Sequence, residues 1–445
     1  MIRLTDRKEW VLFWFISWFL VALALFQIGR IFWDPLQKEN TAAQDESVEV
    51  RSSMISPKTI FISLKGQTGF VGVPDGTGDH LELLAESLAL MHDVMPASIL
   101  MTEEESELPL LGTVCCLDLP LSLGAEAIRS EMDVPENRFP DGSFDQIWIV
   151  PARSLTEDVR ICFYNTTDKT LRISTGGSYT MESNQSLLKT IVDLVHTVDT
   201  DYVWQELAFP GVFPRDGFLQ TEGRSSGTRG QILSAFLQDE TMIEVRMRRY
   251  GMSFFDYPDT VTEKTLGEDL LFSNEKMTVR LSPNGHMVYV QTLTGDEKTP
   301  VGLSEAYDAA AAFIRKDMAS QSGLGWKLSG YETIGEETVF YFDYVIDGYL
   351  CPLDESLQEA WSMPAPIVVT VSGSKVRRYE RFVCTLQMGE ISELRYGWKE
   401  IMDRCAREEI ELCEPPRLAY QMTHGQLFLV WTIKSPDKTL VYPAL

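Results

Sequence analysis

TVFYFDYVIDGYL, residues 338–350, is a run of β-branched and aromatic side chains that breaks at Asp347-Gly348. An Asp-Gly pair closes tight turns, because Gly adopts positive φ without cost and Asp tolerates it better than most residues. The stretch therefore reads as a strand, a turn and the start of a second strand. Two more of the same kind follow: PIVVTVSGSKVRRYERF (366–382) with a turn at Ser372-Gly373, and GQLFLVWTIKSPDKTLVYPAL (425–445) with a turn at Pro436-Asp437. Strands joined by tight turns pair antiparallel. With the short helix RYGWKEIMDRCAREE (395–409) lying between these two stretches, they predict an α+β body built on antiparallel sheets.

Upstream the pattern continues. MTVRLSPNGHMVYVQTL (277–293) is a hairpin turning at Asn284-Gly285, and GLSEAYDAAAAFIRKDM (302–318) is a helix with Ser304 as its N-cap. Before these, GQILSAFLQ (230–238) reads as a helix and MIEVRMRR (242–249) as strand-like, running on to LLFSN. An earlier region opens with the strand TIFISLKG (59–66) and the helix HLELLAESLALMHDVM (80–95), and an acidic loop follows at MTEEESELPLLG. It continues with strands DQIWIV, VRICFYN and LRIST, then a helix NQSLLKTIVDLVHTV in which Asn184 is a candidate cap. Pro, Gly and Ser cluster in VFPRDGFLQTEGRSSGTRG, which places a boundary near 222. At 445 residues the chain is longer than the roughly 250–300 that one core supports. The division expected is 58–222, an N-terminal α+β domain; 223–277, a middle region; and 278–445, a C-terminal α+β domain.

The N-terminus differs from all of this. WVLFWFISWFLVALALFQI (10–28) has no ionisable side chain, and as a helix it rises about 28 Å, the thickness of a bilayer's hydrocarbon. Trp10 and Trp33 suit the two interfaces, so 10–33 is the expected transmembrane helix. Arg3, Arg7 and Lys8 before it, against Arg30 and Lys38 after it, orient residues 1–9 to the cytoplasm. The competing reading is a signal peptide cleaved after Ala24, since Ala22-Leu23-Ala24 has the small-x-small form of a processing site. Residues 34–57, polar and aperiodic, read as a stalk. Trp10, Trp14, Trp18, Val21 and Leu25 share one helical face with Ser17 beside them, a stripe suited to another membrane helix.

Composition narrows the partners. The formal net charge of −26 argues against nucleic acid and anionic lipid as partners of the main body. Seven cysteines, most of them in apolar contexts and without Cys-x-x-Cys, read as small buried hydrophobes, and five scattered histidines give no zinc spacing. Gly223-Arg224-Ser225-Ser226-Gly227 fits G-x-S-x-G, with a short strand before it and a helix expected after it, the context in which a hydrolase presents a serine. His286 and His424 would have to supply the base, and each lies beside Gly in a turn. The preceding FLQTE is too short and polar for a buried parallel strand, and a Gly/Ser interdomain loop explains the residues as well. No phosphate loop occurs, and Glu103, Glu104, Glu105 and Glu107 read as a solvated loop. No catalytic residue, metal or cofactor is expected.

The succession YFDYVIDGYLCP, APIVVTVSGSKVRRYER and LAYQMTHGQLFLVWTIKSPDKTLVYPAL, with its Trp-centred segment Leu429 to Ile433, resembles the YycH/YycI family of membrane-anchored regulators of Gram-positive bacteria. LSAFLQDETMIEVR, FFDYPDTVTEKTL and LLFSNEKMTVRL resemble the middle of the YycH branch, whose length the chain also fits. The likeness covers roughly residues 230–445 and the anchor. It implies a non-enzymatic regulator that adjusts a sensor histidine kinase of a two-component system governing cell-wall metabolism, together with a YycI-like sibling protein. It also implies that the anchor contacts the kinase's spans, here through the face Trp14, Ser17, Trp18, Val21 and Leu25. A membrane-tethered serine hydrolase using Ser225, and a secreted ligand-binding protein, are the alternatives.

Overall fold

The computed structural model describes residues 54–445 apart from 68, 76, 103–107, 133, 136–141, 155–156, 176, 198–201, 205–215, 221–225, 238–239, 295–298, 320–323 and 424. The expected anchor, with Trp14, Ser17, Trp18, Val21 and Leu25, lies outside the described residues. Among the described residues no helix is long and apolar enough to cross a membrane. Met54 and Ile55 are already packed away, 2% and 0% exposed. The polar segment expected to run to residue 57 thus gives way to core before it, because two isolated apolar residues carry no periodicity that a sequence reading can detect.

Residues 59–220 form one sheet of nine antiparallel strands. The strands are β1 (Thr59–Ser63), β2 (Gly69–Pro74), β3 (Ile99–Thr102), β4 (Val114–Gly124), β5 (Ser143–Val150), β6 (Arg160–Asn165), β7 (Thr170–Thr175), β8 (Tyr202–Trp204) and β9 (Phe218–Gln220). Their order is β3-β7-β6-β5-β4-β1-β2-β8-β9. Side chains on a strand alternate between faces, so cross-strand partners form rows. One row, Phe61, Cys116, Trp148, Cys162 and Ile173, runs through an aromatic core that also holds Phe70 and Trp204. The opposite row, Ile62, Cys115, Ile149 and Ile161, faces helix α1 (Gly78–Val94), where Ser87 Oγ lies 3.4 Å from Cys115 Sγ. The short α2 (Ala125–Glu131) follows β4, and α3 (Met181–Thr197) packs beside α1 on β1. Asn184 does not cap α3. It lies inside the first turn, where its amide accepts from the Ala152 N–H at 2.9 Å and donates to the Ala152 carbonyl at 2.7 Å.

The remainder makes two further antiparallel sheets. The strands β10 (Ser226–Ser234), β20 (Cys384–Glu393), β21 (Arg417–Thr423), β22 (Gln426–Lys434) and β23 (Thr439–Pro443) form one, ordered β20-β10-β22-β21 with β23 on β22. The other contains β11 (Thr262–Leu266), β12 (Asp269–Ser273), β13 (Met277–Leu281), β14 (His286–Gln291), β15 (Gly325–Ile334), β16 (Glu337–Ile346), β17 (Tyr349–Cys351), β18 (Ile367–Ser372) and β19 (Lys375–Phe382). Its order is β11-β12-β13-β14-β19-β18-β16-β15, with β17 on β16. Helix α4 (Ile243–Met252) packs on β12 and β13, and α5 (Leu303–Met318) lies across β16, β18 and β19, its Ala310 and Ala311 fully buried. Two short helices, α6 (Glu355–Trp361) and α7 (Trp398–Arg407), complete the set among the described residues. The mixed α+β class with antiparallel sheets is as the turn chemistry predicts, and the turns at Asp347-Gly348 and Asn284-Gly285 carry the positive φ that they require (51° and 83° at the first pair, 94° at Gly285).

Three further sequence expectations are corrected. GQILSAFLQ supplies strand rather than helix: β10 sits between β20 and β22, and Gly230 is needed there, since a Cβ would come within 2.9 Å of Met388 Sδ and 3.0 Å of the Gln387 carbonyl. MIEVRMRR, read as strand-like, is helix α4, which buries Met247 and Gly251 and joins Arg248 to Glu244 one turn back at 2.8 Å. Ser304 is the second helical residue of α5 and not its N-cap, a position held by Gly302; its hydroxyl donates instead to Glu131 at 3.0 Å.

Candidate functional site: a charged junction between two sheets

Strand β15 carries Lys327 into the N-terminal sheet. Its side chain is 3% exposed, with Nζ 3.0 Å from Asp75 Oδ2, and it donates a hydrogen bond to the Pro57 carbonyl. Burying an ammonium costs several kcal/mol unless oxygens replace its hydration. Here two oxygens do so, one from the segment by which the chain enters the body and one from just beyond β2. Burial lowers the Lys327 pKa to about 8, with Asp75 opposing the shift.

His80, in the first turn of α1, is 0% exposed, and its Nδ1 lies 3.4 Å from Asp75 Oδ1. Desolvation, reinforced by the charge of Lys327, holds its pKa down at about 4, so the imidazole is neutral at neutral pH. Residue 58 adds a parallel arrangement within the same sheet. Lys58 Nζ is 2.9 Å from Asp118 Oδ2 and 3.3 Å from the Leu119 carbonyl that it donates to. Asp118 in turn accepts from Gln146 Nε2 at 3.2 Å, and Gln146 accepts from Trp148 Nε1 at 3.1 Å. Two successive residues at the start of the body are thus held by buried charge, one within the N-terminal sheet and one across to β15. The β16–β17 hairpin reinforces the crossing. Gly348, at φ 83°, lies so close to Pro74 that a Cβ there would be 3.0 Å from the proline Cβ.

A second polar cluster sits between the β11–β19 sheet and the helices packed on it. Arg381, fully buried, donates to Asp317 Oδ2 and to Tyr344 Oη, the latter at 3.2 Å. Tyr250 and Tyr379 donate to the same carboxylate at 2.7 and 2.8 Å. This network joins α4, α5, β16 and β19, and although desolvation works against the charge, the pairing with Asp317 holds the Arg381 pKa above its ordinary value. Lys327, His80 and Arg381 are almost wholly buried, whereas Asp75 keeps about a fifth of its side chain exposed; what both clusters do is fix elements to one another.

The residues singled out for chemistry do not converge. Ser225, His424 and Glu103 to Glu107 lie outside the described residues. The residue after Ser225 begins β10, a strand, where a nucleophile elbow needs a helix. His286 opens β14, stacked on Trp361 with ring centroids 5.0 Å apart and 3.5 Å from Glu380. Six of the seven cysteines are buried, as their apolar contexts predict, and burial pushes the Cys115 and Cys384 thiols up to about 12. The junction itself has no sequence signature. Lys327 in GWKLSGYETI reads like any solvent-facing lysine of a strand, and only distance reveals its partners.

No protein-family model matches the sequence, and no curated protein does. Among solved structures, the chain is similar to YycH from Bacillus subtilis, with a TM-score of 0.53 and 12% identity over 87% of this chain and 95% of that one. It is also matched to an uncharacterized protein from Eubacterium rectale (TM-score 0.31, 11% identity, 49% of this chain and 84% of that one). A third match is the Bacillus megaterium YpeB C-terminal domain (TM-score 0.27, 13% identity, 45% of this chain and 92% of that one). The first likeness establishes a YycH-like fold over most of the chain.

Proposed function

We propose that the chain is a non-enzymatic, membrane-anchored regulator that modulates a sensor histidine kinase controlling cell-wall metabolism, with a YycI-like sibling protein as its second partner. The observation that carries this reading is the YycH-like fold, which extends over 87% of the chain. The uncharged apolar run at 10–28 supports it. In this reading residues 1–9 are cytoplasmic, 10–33 span the membrane, and a polar stalk leads to an extracytoplasmic body. The face Trp14, Ser17, Trp18, Val21 and Leu25 packs against a span of the kinase.

A protein of this kind acts by binding one of two kinase conformations better than the other, and its effect is bounded by that difference. About 1.4 kcal/mol changes the ratio of the two states tenfold, well within what one packed helix face supplies. The test is photo-crosslinking from position 17 or 18 in intact membranes, with identification of the captured protein. Capture of a sensor histidine kinase is the expected result. Capture of lipid alone, or the same proteins from a position on the opposite face, contradicts the reading.

A further inference from the structure

The junction at Lys327 ties together three parts of the chain that are far apart in sequence. Residues 54–58 are where the chain enters the body, Asp75 ends the β1–β2 hairpin, and β15 belongs to a different sheet. Its ammonium is the group that touches all three, and it is almost wholly buried. The neighbouring Lys58 offers an internal comparison, because its own partners, Asp118 and the Leu119 carbonyl, lie in the N-terminal sheet.

We infer that Lys327 is a tether by which the β11–β19 sheet holds the segment leading into the body, so that a displacement at the junction of the two sheets is delivered to residues 54–58 and on toward the N-terminal segment. The physical basis is the geometry of the contact. A carbonyl preceding β1 and a carboxylate following β2 share one ammonium, and that ammonium rides on a strand paired along its length to β16. Moving β15 relative to the N-terminal sheet either drags Pro57 with it or leaves the Pro57 carbonyl and Asp75 without their shared partner. Both outcomes alter how residues 54–58 are held. That the segment beyond it leads to a membrane anchor rests on the function proposed above; the tether itself is a property of the body.

Hydrogen exchange on the full chain in nanodiscs tests it, comparing wild type with Lys327→Met and Lys58→Met. The tether requires Lys327→Met to speed exchange at least tenfold in two places together, the amides of 54–56, 58 and 75 and those of 325–329, while β22 and β23 stay as protected as in wild type. Lys58→Met, which removes a bond inside one sheet, is expected to loosen 54–58 and leave 325–329 unchanged. Unaltered exchange at 54–58 in Lys327→Met overturns the inference, and so does an even rise throughout the body, which would make the lysine a general stabiliser. Should Lys327→Met fail to fold, Asp75→Asn keeps the size of the side chain and removes its charge. A smaller rise at both places supports the tether, and no change at either contradicts it. No kinase enters this experiment, so its failure leaves the regulatory reading standing, and failure of the crosslinking leaves the tether standing.

Discussion

His80 shows how one buried side chain sets a response to pH. Its pKa in the folded chain is held at about 4 by desolvation and by the charge of Lys327, against 6.5 when exposed. Between those values the unfolded chain binds a proton that the folded chain refuses, so folding stability rises with pH from about 4 to 6.5 and is lost on acidification through the same window. The size is of order 3 kcal/mol at full effect. Asp343 works in the opposite sense, since burial raises its pKa from 3.8 to about 6 and stability from that group falls as pH rises through the window. The raw stability profile therefore understates His80. The expected outcome is seen by difference: in urea titrations at pH 4, 5 and 6.5, His80→Leu lacks the acid-side loss attributable to the imidazole, and wild type becomes less stable relative to it as pH falls. Parallel profiles for the two proteins contradict this assignment.

At the level of elements, what was legible in the sequence is what local chemistry decides. Turn pairs such as Asn284-Gly285 and Asp347-Gly348 need positive φ at defined positions, so they marked hairpins that the structure contains. The strands DQIWIV, VRICFYN and LRIST are central and aliphatic-aromatic, and they too were readable. The exchange of identities between GQILSAFLQ and MIEVRMRR was not. Ile243, Val245 and Met247 alternate like strand residues, yet Met247 and Gly251 form one helical face that docks on β12 and β13, while β10 gains two strand partners that local propensity does not register. Strand β4 was also missed, because its continuous burial from Val114 to Leu119 gives no alternation and Pro120 falls where its pairing to β5 breaks register. Helix α4 yields a prediction whose sign separates propensity from packing. Gly251→Ala in an isolated helix would stabilise by about 1 kcal/mol. Here the new methyl would lie 2.4 Å from the ring of Phe272, which is itself fully buried, so a net loss of about 1–3 kcal/mol is expected in thermal or chemical unfolding. A stabilised variant would show that α4 shifts freely on the sheet.

Across the whole molecule there are three antiparallel sheets, two of them joined by buried charge at Lys327 and by the approach of Gly348 to Pro74, a layout that the sequence indicated in class but not in its joints. A joint is formed by residues hundreds of positions apart, and no periodicity or motif records it. The candidate partner face at 14–25 was read from helical spacing alone and lies outside the described residues, and the likeness to a solved structure concerns the fold of the body. The proposal places the action in the anchor and gives the body no bond-making role, and one measurement separates these directly. Residues 10–28 are replaced by an unrelated apolar helix of equal length, the body and stalk are kept, and output of the sensor kinase pathway is recorded in cells with the variant present at wild-type levels. The account requires control to be lost, to the same extent as on removing the whole protein. Control at the wild-type level with the foreign helix would contradict it.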